Sequence, residues 1–390
     1  MDESLQESRP QDTESQESRP QIKHKLLWFG LLLPAVLAVG LYYLKNVTFV
    51  AEYLFGRGIT RALTWLLTRV TNLVPFSVAE WLIYLMPVAL LVLFALTAAY
   101  SGWRNWRRFL GGTAAVVLWG VVAFESLFVM QFGRIRLENL LEYRTEDIKA
   151  DELYESAAMM RDRAVEMSDK ITFTEAGYSL WPGTSTIAES NQAILDYSYR
   201  MRDFTALKNR FHIPMLTDSV RPKYIMISEP FSYTGILGIY IPFTGEANLN
   251  VAAPSYTLPL SAAHEQSHQK GYSREDEANF LAIQICLMDP EPYVQYSGAM
   301  FAFQKLSGAL YSTDKDLYWK LMDETPGHLK ADIRYNNAWI DAHENKVTEK
   351  SEQINDTYLK VSGGGGTISY SEVVKLLIGQ YRADALNVRP

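Results

Sequence analysis

AAHEQSHQKGYSREDEANF, from Ala262 to Phe280, holds two of the six histidines in a chain of 390 residues. His264 and His268 are four apart, with Glu265 beside the first, so the stretch fits the pattern H-E-x-x-H. On a helix, side chains at i and i+4 share a face, and two imidazoles so placed can hold one tetrahedral zinc. A glutamate one position on projects beside the metal, where it can take a proton from bound water. The flanks predict that helix. Thr257 is a candidate N-cap, Pro259 suits the first turn, and nothing breaks the pattern before Gly271.

A catalytic zinc needs a third protein ligand and one open position. The three-histidine pattern H-E-x-x-H-x-x-G-x-x-H would place a histidine at 274, where Arg274 stands. A carboxylate from a following helix is the alternative. Gly271 allows a sharp turn, Ser273 can cap a helix from Arg274, and Glu275, Asp276 and Glu277 are then candidates. Glu277 precedes Ala278 and the apolar positions Phe280, Leu281, Ile283, Ile285 and Leu287, so it lies at the edge of the expected buried face. Glu275 and Asp276 read as first-turn acids that favour the helix dipole.

Upstream of the motif, Pro222–Ser228 and Gly235–Val251 alternate and carry β-branched and aromatic residues, which predicts strands. The strand ending GEANLNV is expected to be an edge that pairs with an extended peptide, presenting Glu246 and Asn248. Helices are expected over Ala150–Asp169 and Ala188–His212, after the motif through Ala342, and at Ser369–Tyr381 beyond a Gly-rich joint at 363–366. A residue to stabilise developing negative charge is also required. Tyr296 is the candidate taken forward, with His328, Arg334 and His343 as alternatives. Strands, motif helix and further helices predict an α+β zincin-like metallopeptidase domain over 221–390, preceded by a helical subdomain at 133–220.

The first third of the chain differs. Residues 1–25 form a polar tail, with QESRPQ at Gln6–Gln11 and again at Gln16–Gln21, and such a segment is expected to be disordered. Uncharged runs at about 26–44 and 81–100, and a third at 109–132 broken only by Glu125, predict a bundle of three transmembrane helices. An ionisable group inside a span is a functional candidate by default, although Glu125 near the end of its span can also reach headgroups. Segment 46–77 mixes apolar residues with Arg57, Arg61 and Arg69 and reads as amphipathic helix on the membrane surface.

Arg104, Arg107 and Arg108 mark the short loop at 101–108 as cytoplasmic, with Lys23 and Lys25 on the same side. Three spans then place everything after Gly133 outside the cytoplasm. Arg134, Arg136 and the arginines of 46–77 argue the other way.

A net charge of −7 without a basic cluster excludes a nucleic-acid partner, and the single cysteine, Cys286, excludes a disulfide framework or a cysteine zinc site.

The order HExxH followed by Ser-Arg-x-x-Glu resembles membrane metallopeptidases of the gluzincin group. EDEANFLA at 275–282 is similar to the third-ligand segment of ImmA/IrrE-type peptidases. There the glutamate before Ala-Asn binds zinc, which the resemblance carries onto Glu277. Taken with the apolar N-terminal region, IPFTGEANLN at 241–250, LPLSAAHEQSHQKGYSREDEANFLA at 258–282 and YSGAM at 296–300 resemble a bacterial membrane family catalogued as domain of unknown function 3810. That resemblance implies a zincin-like domain behind a membrane anchor.

The expectation is a multi-pass bacterial membrane protein with a peptidase domain outside the cytoplasm, acting on a peptide or protein. His264, His268 and Glu277 would bind Zn2+, and Glu265 would serve as general base. The alternative, from a different class, is a zincin-fold scaffold or sensor without hydrolytic activity. An intact Glu265 argues against it, since zinc binding alone has no use for that carboxylate.

Overall fold

From Val78 the chain forms one long helix in which Pro87 is accommodated, because side chains of length and apolarity suited to lipid leave little else to build. The computed structural model describes residues 26–101, 106–198, 204–216, 220–362 and 369–387. The polar tail at 1–25, part of the basic loop at 102–105 and the joint at 363–366 lie outside them. Among the described residues the chain is mostly helical, with few strands.

Among the described residues two helices are long and apolar enough to cross a membrane, Val78–Ala99 and Phe109–Gly133, and no residue in the apolar window of the first is buried. The run expected as another span, 26–44, forms a shorter apolar helix, Trp28–Leu44. It begins as wide turns over Leu26–Leu32 and continues as α1, Leu33–Leu44.

The chain divides into two compact units. The first takes in Met1–Gly40 and Leu90–Ala123. Its described part is apolar helix, with the Trp119 indole N–H donating to Phe29 O at 3.1 Å. The second takes in Leu41–Ala89 and Phe124–Pro390. Its helices are α2 (Thr60–Thr71), the start of α3 (Val78–Ser101), the end of α4 (Trp106–Leu127), α5 (Ala150–Ser168), α6 (Ile187–Ser198), α7 (Phe204–Phe211), α8 (Leu258–Gln269), α9 (Glu275–Met288), α10 (Pro292–Thr313), α11 (Lys315–Asp323), α12 (Gly327–His343), α13 (Lys346–Ser362) and α14 (Ser369–Asn387).

A short ribbon pairs β1, Thr172–Phe173, with β2, Ser179–Leu180. The larger sheet has the order β3-β5-β4, with β3 at Lys223–Tyr224, β4 at Gly238–Ile241 and β5 at Glu246–Leu249. β3 runs parallel to β5 and β4 antiparallel.

The core sits where α9, α10 and α14 meet, around Phe280, Ile283, Phe303, Leu306, Val373 and Ile378. Close approach there depends on Gly298. A Cβ added at that position would lie 2.6 Å from the Cys286 Cβ, so YSGAM is a packing feature of the α9–α10 contact.

Helix α2 is built inside out. Thr60, Thr64, Thr68 and Thr71 recur at helical spacing and are buried, while Leu63, Leu66 and Val70 face outward. Thr60 Oγ1 donates to Ser126 O at 2.6 Å and Thr71 Oγ1 to Thr244 O at 3.1 Å. Just before α2, Glu52 is fully buried and holds Arg134 at 3.0 Å and Arg57 at 2.8 Å. Segment 46–77 is therefore a structural part of the second unit.

Candidate metal centre

Helix α8 presents its motif because Pro259 starts it and Gly271 ends it, at φ +103°, a conformation that favours glycine. The Arg134 guanidinium donates to the Gly271 carbonyl and stacks 5.0 Å from the Tyr272 ring, fixing the turn against the chain's exit from α4. Arg274 then stands at the N-cap of α9 and donates to the carbonyls of Phe132 and Arg134. The two helices are thereby locked in register.

The result is a convergence of three ligand atoms. His264 Nε2 lies 3.1 Å from His268 Nε2, and Glu275 brings Oε2 to 3.2 Å from the first and Oε1 to 3.5 Å from the second. Among the described residues these form the group of histidine and carboxylate side chains able to hold a metal ion.

The donor set fits a tetrahedral cation. Zinc–nitrogen bonds of about 2.0–2.1 Å at tetrahedral angles separate ligand atoms by about 3.3–3.4 Å. The His268 Nδ1 lies 2.7 Å from the Tyr272 carbonyl, which can only accept, so Nδ1 carries the proton and Nε2 offers its lone pair inward. A lone pair facing an imidazole and a carboxylate requires a positive charge between them, either a proton or a metal.

In the metal-free charge state the proton resides on His264. Burial opposes its charge, but the bond to Glu275 and that carboxylate's charge outweigh burial and raise the imidazole to about 9. Burial also opposes charge on Glu275, yet the two imidazoles hold its carboxyl down at about 2. His268 is pushed down to about 4 by burial.

Glu265 lies against β4 and lines the same cavity as His264, His268 and Glu275. A Cβ at Gly238 would come within 2.8 Å of the Glu265 Cγ, so only glycine lets the carboxylate lie against the strand. The Tyr240 backbone N–H bonds to that carboxylate, and burial lifts it to about 7.

Several expected site residues lie elsewhere. Glu277 accepts from the Leu137 backbone N–H at 2.8 Å and pairs with Arg274 at 3.0 Å, so its carboxylate anchors the segment after α4 instead of joining the histidines. β5 is the central strand, not an edge, because β3 and β4 flank it. Glu246 and Asn248 are buried within it. Glu246 pairs with Lys223 and accepts from the Val78 and Ala79 N–H groups at 3.0 and 2.8 Å, which caps the start of α3.

Tyr296 is fully buried and donates to Asp332 at 2.7 Å, within a second core cluster. His328 bonds Ser168 at 2.9 Å, His343 bonds the Trp339 carbonyl at 2.7 Å, and Arg334 is exposed. None of the four lines the cavity over the centre.

That cavity, about 820 Å³, is lined by β4, by His264, Glu265, His268 and Glu275, by Phe124 and Phe128 at the end of α4, and by Tyr358 of α13. Phe128 packs edge-on against His268, with ring centres 5.8 Å apart.

The family described as "Protein of unknown function (DUF3810)" matches residues 55–378. The chain belongs to that family. No curated protein and no solved structure matches the chain. The family match takes in α2, both long apolar helices, the edge strand β4, the three convergent ligand atoms and α13.

The edge position of β4 and the convergence of Glu275 on the two histidines were the features that sequence reasoning missed. Alternation in GILGIYI signalled a strand, but only the pairing order places β4 at an edge of the sheet among the described residues.

Proposed function

We propose that this member of the DUF3810 family is a membrane-anchored zinc peptidase of zincin type. The observation that carries the proposal is the convergence of His264, His268 and Glu275 within hydrogen-bond distance of one another, beside Glu265 and the edge strand β4. His264 and His268 would supply Nε2, and Glu275 a carboxylate oxygen, to the metal. Zinc held by such a set supplies a water acidified toward neutrality and a Lewis acid for the scissile carbonyl.

The chain's own residues do the rest. Tyr272 O holds His268 in one tautomer. Glu265 accepts the proton of the attacking water and returns it to the leaving amine, held for that task by the Tyr240 N–H and the bare Cα of Gly238. The outer edge of β4 takes an extended peptide by strand addition. Phe124, Phe128 and Tyr358 exclude water from one side.

The proposal includes a multi-pass topology with the domain outside the cytoplasm. The basic loop at 101–108 supports it. Arg134 and Arg57, which argued for the opposite side, are paired with the buried Glu52 and so act as structural residues. A C-terminal reporter fusion tests this, and a cytoplasmic signal overturns it.

The chemistry is tested on the full chain in detergent, by zinc stoichiometry and by hydrolysis of a peptide library. The expected result is about one zinc per chain, lost in His264→Ala and retained in Glu265→Gln, with cleavage abolished in both. Metal-free wild-type protein sinks the proposal. Metal without any Glu265-dependent cleavage leaves a scaffold or sensor in its place.

A further inference from the structure

The outward face of α2 is apolar where a surface helix is ordinarily polar, and its buried stripe is threonine where a core helix is ordinarily apolar. An inverted helix of this kind needs an apolar neighbour on its outer side. Its position indicates which one. Six residues separate α2 from Val78, where the first long apolar helix starts, and Thr60 bonds to Ser126 near the end of the second. The outer face of α2 is therefore continuous with the ends of two helices long and apolar enough to cross a membrane.

The same neighbourhood holds the mouth of the cavity. Thr68 and Leu67 of α2 lie against Gly245, in the turn that joins β4 to β5. Phe243, in that turn, is 46% exposed, lines the cavity, and its ring centre lies 6.1 Å from that of Phe124 on α4. Across the mouth, α13 exposes Ile354 and Val361 at 62% and 58%. Lys45, which follows the shorter apolar helix Trp28–Leu44, donates to Val361 O at 2.9 Å. Phe243 and Val361 are thus each tied by a contact to the end of an apolar helix. Patches of this kind mark interaction sites, and one that adjoins the ends of helices long and apolar enough to cross a membrane suits a lipid surface.

We infer that the cavity opens at the bilayer surface and that its substrates are polypeptides tethered to the membrane, cut in the stretch that lies along the headgroups. The inference rests on the peptidase reading for its chemistry and on α2, Phe243 and α13 for its substrate class. Lipid beneath Leu63, Leu66 and Val70 places the outer edge of β4 beside any chain confined to the same surface. Confinement raises the effective concentration of substrate without any new contact.

Two measurements on the full chain test it. The first needs no turnover. The one native cysteine, Cys286, is buried, so bimane can be placed selectively at Leu66→Cys, Phe243→Cys and, as a reference on α5, Met159→Cys. In vesicles of phosphatidylcholine and phosphatidylglycerol with brominated chains, positions 66 and 243 are quenched and 159 is not. An unquenched position 243 overturns the inference while leaving the peptidase intact.

The second compares one peptide, the fastest cleaved in the library, free and carrying an N-terminal palmitoyl chain in those vesicles. The tethered form is cleaved about 10- to 100-fold faster at equal bulk concentration. Equal rates overturn the substrate class alone. Absence of Glu265-dependent cleavage of either form overturns the peptidase reading and the substrate class with it, whatever the quenching shows.

Discussion

Glu275 and Glu277 stand two residues apart on α9 and face opposite ways, the first 3.2 Å from His264 Nε2, the second 2.8 Å from the Leu137 backbone N–H. At 3.6 residues per turn, two positions differ by about 200°, so one helix cannot turn both carboxylates toward the same metal. The two glutamates consequently respond differently to substitution. Glu275→Ala loses zinc with little change in folding. Glu277→Ala keeps zinc but strands Arg274 and the Leu137 N–H, at a cost of about 3 kcal/mol. Metal analysis beside thermal unfolding checks both, and loss of zinc in Glu277→Ala with retention in Glu275→Ala would reverse the assignment.

Gly238 sets the position of the Glu265 carboxylate, the proposed general base. Its substitution by alanine puts a Cβ within 2.8 Å of the Glu265 Cγ and 3.2 Å of the Asn248 carbonyl. The carboxylate must swing away while the metal ligands stay in place. The expected outcome is unchanged zinc content and a fall in kcat of about 100-fold, since displacement of a catalytic group by an ångström has that scale of effect.

Tyr296→Phe separates a core tyrosine from a catalytic one. The substitution removes the 2.7 Å bond to the buried Asp332 and destabilises the fold by about 1–3 kcal/mol. Peptide cleavage at a temperature where the variant is folded is unchanged. A loss of kcat without loss of stability would return Tyr296 to the site.

Acid sensitivity is expected at the other end of the domain. Hydrogen bonding to Arg382 holds Glu152 at about 2, below its ordinary value of 4.5. A carboxyl depressed in the folded state contributes stability that is fully present above pH 4.5 and is lost as pH falls through that value toward 2. Arg382→Ala removes the largest cause of the shift. Unfolding midpoints measured between pH 6 and pH 3 therefore fall less steeply in Arg382→Ala than in the wild type, and identical slopes would refute the assignment.

The helix bearing the two histidines was legible because its signals are local. Pro259 in the first turn and Gly271 after the last residue fix where α8 begins and ends. The third ligand was not legible by the same means. Glu277 was favoured for lying at the edge of a buried face, but α9 is buried almost all round, from Asp276 to Cys286, so burial does not discriminate between its faces. What assigns Glu277 is a backbone N–H from Leu137, 140 residues upstream, and no local pattern reports such a partner.

The resemblance of EDEANFLA to another third-ligand segment points to Glu277, whereas the structure brings Glu275 to the histidines. Ser273 is a second such case, since its hydroxyl bonds Phe128 O and caps no helix. Arginines 57 and 134 read as topology signals until the buried Glu52 supplied their partner.

Glu246 ties the first turn of an apolar helix to the middle of a sheet. Its carboxylate accepts the first backbone N–H groups of α3 while its own strand pairs with β4, so a single side chain links Val78 to that edge strand. On the proposed function, a substrate lying along β4 is registered from Val78, the residue at which the apolar helix begins. Cleavage positions in a membrane-tethered substrate are then expected within a narrow count of residues from the lipid boundary, whatever the local sequence.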